Sequence, residues 1–568
     1  MAAATAWLGT RAYAAQDHLQ QARELATQFA AASMDGDDDD ALRDKLAALA
    51  EEASAARSLT SDGVWRAAET LPWIGPQLRA VSTVSAGLDE IVTALEPLVG
   101  QVSDVGLEAF APRDGAIDTD ALIQLQGSAS EAAEQSAEAL RVYSHLDPSL
   151  LIPALREPFE QAAALSEQVA GATDVLARAT LLLPPMLGAD GPRDYLVLFQ
   201  NNAEWRSLGG LVGSLALVHT EDGRFSLTGQ GSGGGLGYYP EPPIAFDDEV
   251  LAIYGTRPGR YPANVTQLPD FTLGAPLARE FWQQTHGDDA DGVIAVDPVA
   301  LSYILEVTGP VSLPTGDTLT AENVVQLVLN EVYLRYDDPL QQNEFFEIAT
   351  AAVFQAISTR SLDPIALIGA LGQASAENRV FIWSSHDDEQ AILDGTSLQG
   401  KLPVTDADTT RFGVYLNDGT GSKLDYYMRT ETAASWCTTH PDGTGEASLR
   451  VTLQNDAPAD IGEYTKHITG GGNYGVTPGT TRTVAYIYLP EGAEPMSVTA
   501  GDGASVGSDI HENRIVYTWE TNLLPGESTS IDIGIRAPST EGLEVVHTAT
   551  LDGEEAGDDA VSPCEVAP

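Results

Sequence analysis

The chain has 568 residues, 43% of them hydrophobic, and carries 83 acidic against 29 basic side chains, a net charge of −54. That length excludes a single small domain. The charge repels nucleic acid and anionic lipid faces, because such contacts depend on neutralising phosphates with Lys and Arg; divalent cations, cationic partners or a saline exterior stay compatible with it.

Residues 1–187 read as a helical stalk or bundle. Leu19, Ala22, Leu25 and Phe29 fall on one helical face, as do Ile91, Leu95, Leu98 and Val102, and again Phe159, Leu165, Val169 and Leu176. The run "MDGDDDD" (Met34 to Asp40) breaks the first helix as a solvated acidic loop, and "LPWIGPQL" (Leu71 to Leu78) is a proline-bounded elbow. "LLLPPMLGADGPRDY" (Leu181 to Tyr195) marks a boundary, after which the period changes. "YLVLFQ" reads as a strand buried on both faces, and "GSLALVHTEDGRFSLTGQ" as a hairpin turning at Glu221 to Gly223. A strand at Gly292 to Asp297, a helix at Pro298 to Glu306, a strand near Val311, a helix capped by Thr320 and a helix from Asn343 to Thr359 follow. This alternation predicts a central α/β layered domain over residues 188–410. From 411 to 568 the pattern alternates apolar and polar, in "SLRVTLQN", "TVAYIYLP", "RIVYTWET" and "STSIDIGIRA", which predicts an immunoglobulin-like β-sandwich. The expected class is thus multidomain α+β. The Gly-rich "TGGGNYG" (Thr469 to Gly475) lacks the lysine and helix of a phosphate loop and reads as a mobile hairpin loop.

Cys437 and Cys564 both lie in the last quarter of the chain and point to a disulfide made outside the cytosol, with two buried thiols as the alternative. No run of about 18 apolar residues exists, so no membrane span is expected within the sequence. The opening "MAAATAWLGTRAYAAQ" is too short and too polar for a signal peptide. An extracytoplasmic protein whose N-terminal membrane anchor precedes this sequence is expected.

The usual enzyme constellations are absent: the nine histidines show no metal spacing, and there is no Gly-x-Ser-x-Gly elbow or Walker loop. The stretch that stands out is "FQNNAEWRSLGGLVGS". With "NVTQLPDF", "DGVIAVDPVALSYILEVTGPVSLP", "LTAENVVQLVLNEVYLRYDD" and "GVYLNDGTGSKLDYYMR", it resembles the bacterial envelope family called domain of unknown function 4012, over a span running from the helical part to Arg429. The same order of segments is more distantly similar to the LytR–CpsA–Psr family, whose members transfer glycopolymers from a polyprenyl-pyrophosphate lipid with a divalent cation. That resemblance implies a strand, an arginine loop and a second strand, with Arg206 and Arg335 at the matching positions. It also implies Mg²⁺, for which Glu204 and Asp338 are the expected ligands. This sequence departs from that family where Arg206 is followed by Ser207, Leu208, Gly209 and Gly210, and where "QQNEFF" replaces further arginines.

The expected catalytic set is therefore Arg206, Arg335, Glu204 and Asp338. The expected ligand-binding set is Asn201, Asn202, Trp205, Gly209, Gly210, Ser214, Asp270 and Gln342. Polar groups leaving a buried strand beside two glycines suit a crevice at the strand ends. Three alternatives stand beside the site reading: Arg206 pairs with Glu204 or Asp338, Trp205 fills a core, and Arg335 makes a surface ion pair. Two functions follow. One is an envelope protein of surface or cell-wall polysaccharide assembly that transfers a polyprenyl-pyrophosphate-linked glycan. The other is a non-catalytic module that binds glycan or protein.

Overall fold

The structure is a computed structural model that describes residues 2–564 except 36–38, 107–111, 113–114, 144, 361, 407, 502, 541, 552 and 556–563. The chain divides into two compact units: Met1–Gly191 with Glu221–Arg224, and Pro192–Thr220 with Phe225–Pro568.

The first unit is helical: α1 (Ala2–Asp35), α2 (Asp39–Thr60), α3 (Gly63–Ala68), α4 (Ile74–Val105), α5 (Thr119–Tyr143) and α6 (Pro153–Met186). The break between α1 and α2 falls in the acidic run, whose residues 36–38 lie outside the described residues. Ala22, Leu46, Leu49 and Val92 form one core, with Leu25 and Phe29 packed on it. Ala94, Leu98, Ala129, Ala132 and Ala177 form another. One expected face holds only in part: Phe159 is buried and Leu176 packs on a core, but Leu165 is 44% exposed, and α6 also buries Ser166, Ala170, Thr173 and Ala177. Small side chains at helical spacing let neighbouring helices approach closely, so alanine content rather than the leucine stripe sets the inward face.

The second unit opens with a five-stranded sheet in the order β3-β2-β1-β4-β7, made of β1 (Arg193–Arg206), β2 (Gly209–Glu221), β3 (Arg224–Ser232), β4 (Gly292–Val296) and β7 (Val380–Ser384). A two-residue-wide ribbon, β5 (Val311–Ser312) with β6 (Thr318–Leu319), lies outside it. β1 pairs antiparallel with β2 and parallel with β4. The β2–β3 turn places Asp222 and Gly223 at positive φ, as an Asp-Gly hairpin requires. The helix expected from Asn343 begins four residues earlier, at Pro339, because Asp338 caps it and a proline suits the first turn. Thr320 caps no helix; its N–H donates to Asn323 Oδ1, and the helical run starts at Val324.

Residues beyond 408 build two more five-stranded sheets. One has the order β12-β15-β10-β9-β17 and the other β13-β14-β11-β8-β16. The strands are β8 (Thr409–Asp418), β9 (Met428–Thr439), β10 (Gly445–Asn455), β11 (Thr481–Tyr488), β12 (Glu494–Ala500), β13 (Val506–His511), β14 (Arg514–Leu523), β15 (Ser528–Ala537), β16 (Gly542–His547) and β17 (Gly553–Glu555). Leu449, Val451, Ile531 and Ile533 of one sheet share a core with Val414, Leu416, Ile487 and Trp519 of the other. The alternation noted in the sequence is the inward half of each strand. "TGGGNYG" is not a hairpin loop: a helical turn at Lys466–Thr469 runs into a tight turn at Gly470–Gly472. Cys437 and Cys564 form a disulfide with Cα atoms 5.4 Å apart, closing a separation of 127 residues.

Candidate functional site

β1 does not end where the apolar run ends. It carries Asn201 to Arg206 onward as strand, through an irregularity between Asn201 and Trp205, and turns back at Arg206–Gly209. The polar cluster is therefore inside the protein rather than at an open rim, because this end of β1 runs in among elements from residues 264–270, 297–333 and 410–430. Trp205 is fully buried in the core shared by the two C-terminal sheets, which settles it as a core side chain. The glycines answer to close packing: a Cβ at Gly210 would lie 2.3 Å from the Asn201 carbonyl carbon, and Gly209 has φ +114 with Gln200 Oε1 2.4 Å from its Cβ position.

Arg206, 3% exposed, spends its whole fork internally. Nε donates to Asn264 Oδ1 at 2.8 Å, one terminal nitrogen to the Trp205 carbonyl at 2.6 Å, and the other to Glu204 Oε1 at 2.9 Å. The second Glu204 oxygen accepts from Lys423 Nζ at 3.0 Å, and that ammonium lies 4.9 Å from the Tyr333 ring centre. Burial drives the Glu204 carboxyl upward, but the charges and hydrogen bonds of Lys423 and Arg206 outweigh it and hold the group below its ordinary value.

Two more carboxyls stand close by. Asp425 accepts from the Trp205 N–H at 2.8 Å. Asp418 accepts from the N–H groups of Thr420 at 2.9 Å and Gly421 at 2.5 Å, fixing the turn at 418–421. Burial and then the neighbouring Asp418 charge push Asp425 well above the aspartate range, and burial and then Glu204 raise Asp418. Three carboxyls face two cations, so the cluster balances when one carboxyl holds a proton. A raised folded-state value stabilises below the unfolded value and is lost as pH rises. Asp425→Asn is therefore expected to melt above the native protein at neutral pH, and the gap should close as pH falls toward about 4, the unfolded aspartate value. Thermal unfolding across that range checks this; equal pH profiles contradict it.

The other expected residues are placed as follows. Asn201 donates to the Tyr333 hydroxyl at 2.7 Å. Asn202 donates to Asp297 at 3.0 Å and to the Ala549 carbonyl at 2.9 Å, and Asp297 also binds Arg379 at 2.9 Å. Ser214 sits in β2 opposite Phe199. Asp270 caps the helix Phe271–His286. Gln342 donates to the Tyr336 carbonyl at 2.7 Å. Asp338 is an exposed cap accepting from the Leu340 N–H at 3.0 Å. Arg335 makes an exposed pair with Asp317 at 2.9 Å and lies 3.6 Å from Glu331. Arg206 and Arg335 share no partner. Glu204 and Asp338 are likewise apart in role, one buried between two cations and the other exposed at a helix start.

The buried network has a surface above it. Asn264, held by Arg206, donates its N–H to the Tyr261 carbonyl at 2.8 Å, and so anchors the segment that carries Arg257, Arg260 and Tyr261. The 418–421 turn held by Asp418 packs against the ring of Tyr474, whose Cε2 lies 2.6 Å from a Cβ position on Gly421. Tyr238, Tyr261 and Tyr474 are 53%, 44% and 51% exposed. The Arg257 guanidinium lies between Tyr261 and Tyr474, at 5.9 and 5.5 Å from their ring centres. Arg260 lies 4.9 Å from Tyr238, whose ring is 5.1 Å from that of Tyr261. This is an exposed platform of aromatic faces interleaved with cations, able to stack on flat apolar faces and to donate to oxygen-rich groups.

Sequence reading missed Lys423, Asp425 and the whole platform. Lys423 had a signal: it is one of only four lysines, and it stands inside "GVYLNDGTGSKLDYYMR". "YGTRPGRYP" (Tyr254 to Pro262) had a weaker one, two arginines between tyrosines with turn residues.

Fold and site together define an α/β sheet whose central strand is locked by buried charges into a two-sheet region. Residues 190–333 match the family model described as protein of unknown function, DUF4012, a narrower span than the sequence reading gave. No curated protein matches the chain.

Proposed function

We propose that the protein works outside the cytoplasm, anchored in the membrane ahead of α1, in the assembly or attachment of a surface polysaccharide, and that it holds glycan on the Tyr238–Tyr261–Tyr474 platform without transferring it. The observation that carries this reading is the platform itself: three half-exposed tyrosines with Arg257 and Arg260 between them. Sugar rings present C–H faces that stack on aromatic rings, and their hydroxyls and acidic groups accept from guanidinium. The disulfide supports an extracytoplasmic location. The strand, arginine turn and second strand of β1–β2 support a LytR–CpsA–Psr-like central layer, and the two sheets around one core support an immunoglobulin-like sandwich.

The transfer reading asks Arg206, Arg335 and a Mg²⁺ ion at Glu204 and Asp338 to meet one polyprenyl-pyrophosphate. Arg206 and Glu204 are committed to each other and to Lys423 beneath the surface, so the binding reading is the one the geometry favours. Calorimetric titration with purified surface polysaccharide tests it. Tyr474→Ala and Tyr261→Ala, both at exposed positions, should each weaken binding roughly tenfold. Unchanged binding in both, or none by the native chain, contradicts it.

A further inference from the structure

At one end of the helical unit the elbow between α3 and α4 is held rigid from within. Trp65 is fully buried and its Nε1 donates to the Leu78 carbonyl at 3.3 Å, while Asp62 caps α3. The elbow closes so tightly that a Cβ on Gly75 would lie 2.2 Å from the Glu69 carbonyl oxygen. Gln77 ties it to the α5–α6 connection, donating to the Leu150 carbonyl at 2.9 Å and accepting from the Ile152 N–H at 3.0 Å.

What this rigid base displays is apolar. Trp73 is 91% exposed and sits at φ 69, a left-handed conformation that a bulky side chain adopts only at a cost. Around it Val64, Leu71, Ile74, Leu150 and Ile152 are each at least half exposed. Beside Trp73 opens a cavity of about 440 Å³ lined by Arg66, Glu69, Thr70 and Arg79. Neither the Arg66 nor the Arg79 guanidinium has a partner among the described residues. From residue 62 to 82 the charged residues are Asp62, Arg66, Glu69 and Arg79, so this segment is neutral in a chain of net charge −54.

We propose that this end is a docking site for a phospholipid bilayer surface, with Trp73 and its aliphatic neighbours among the headgroups and a phosphodiester met by Arg66 and Arg79. Tryptophan with aliphatic side chains and basic groups is the composition of interfacial anchors. Two unpaired guanidiniums at a cavity complement the phosphate that every phospholipid carries. The side chains project from a bundle end, a shape that enters a headgroup layer more readily than it packs on a flat protein face. The acidic remainder resists flat adsorption, and physiological salt screens its repulsion beyond about 8 Å. The proposal shares no residue with the glycan platform and does not rest on it.

Co-sedimentation of the full chain with phosphatidylcholine vesicles containing a minority of phosphatidylglycerol, at physiological salt, tests this. The native chain should sediment with the vesicles. Trp73→Gly should lower partitioning by about tenfold or more while keeping or raising the melting temperature, because glycine relieves the left-handed backbone. Arg66→Gln with Arg79→Gln should weaken binding without unfolding. Absence of native binding overturns the proposal, as does Trp73→Gly binding undiminished. A dimer that Trp73→Gly dissociates, with no vesicle binding, assigns the surface to a second copy and also overturns it.

Discussion

Glu204→Leu should destabilise the second unit by about 3–5 kcal/mol, the cost of stranding buried charge. The variant would leave Arg206 and Lys423 inside the protein without the carboxylate that each contacts, at 2.9 and 3.0 Å. Neither cation can swing out to water without abandoning Asn264, the Trp205 carbonyl or the face of Tyr333. The triple variant Glu204→Leu, Arg206→Met and Lys423→Met should be less damaged than Glu204→Leu alone, because no buried cation is then left without its carboxylate, and Asp418 and Asp425, already raised by burial, can take up protons. Denaturant unfolding of the three proteins checks this. A single variant within about 1 kcal/mol of native would mean that the network contributes as little as an exposed ion pair.

Removing the disulfide has an expected effect of similar size. Cys437→Ser with Cys564→Ser releases a closure of 127 residues, and the chain-entropy account of cross-links assigns about 4–5 kcal/mol to a loop of that length. The loop contains β10 to β17 and thus most of both C-terminal sheets. The loss should appear as a lower unfolding midpoint of that β-region, reproduced by reducing the native protein. An unchanged midpoint after full reduction would show that the unfolded chain gains no freedom from the cut.

Local pattern and single-residue chemistry made part of this legible. Helical spacing at Ile91 and Leu98 marked buried positions, Asp222–Gly223 marked a hairpin, and two cysteines marked their own bond. The pairing of Arg206 with Glu204 could be weighed because the two stand two positions apart. What completes the cluster comes from far along the chain: Lys423 is 219 positions from Glu204, and Asp425 is 220 from Trp205. No periodicity carries information over that distance. For the same reason the apolar run alone ends β1 at Gln200, since polar residues following an apolar run read as a rim until their buried partners are known. The platform was hidden more deeply, because its tyrosines come from three separate connections and each alone looks like an ordinary surface side chain.

Arg206 is a positioning residue that holds a surface from below. Hydrogen exchange of the Arg206→Lys variant tests this most directly, since lysine keeps the charge but cannot span Asn264, the Trp205 carbonyl and Glu204 together. Amides of residues 257–267, and those of the 418–424 turn, should exchange at least about tenfold faster than in the native protein, while β10 and β15 stay protected. Native protection at 257–267, or an equal rise in every strand, would contradict it.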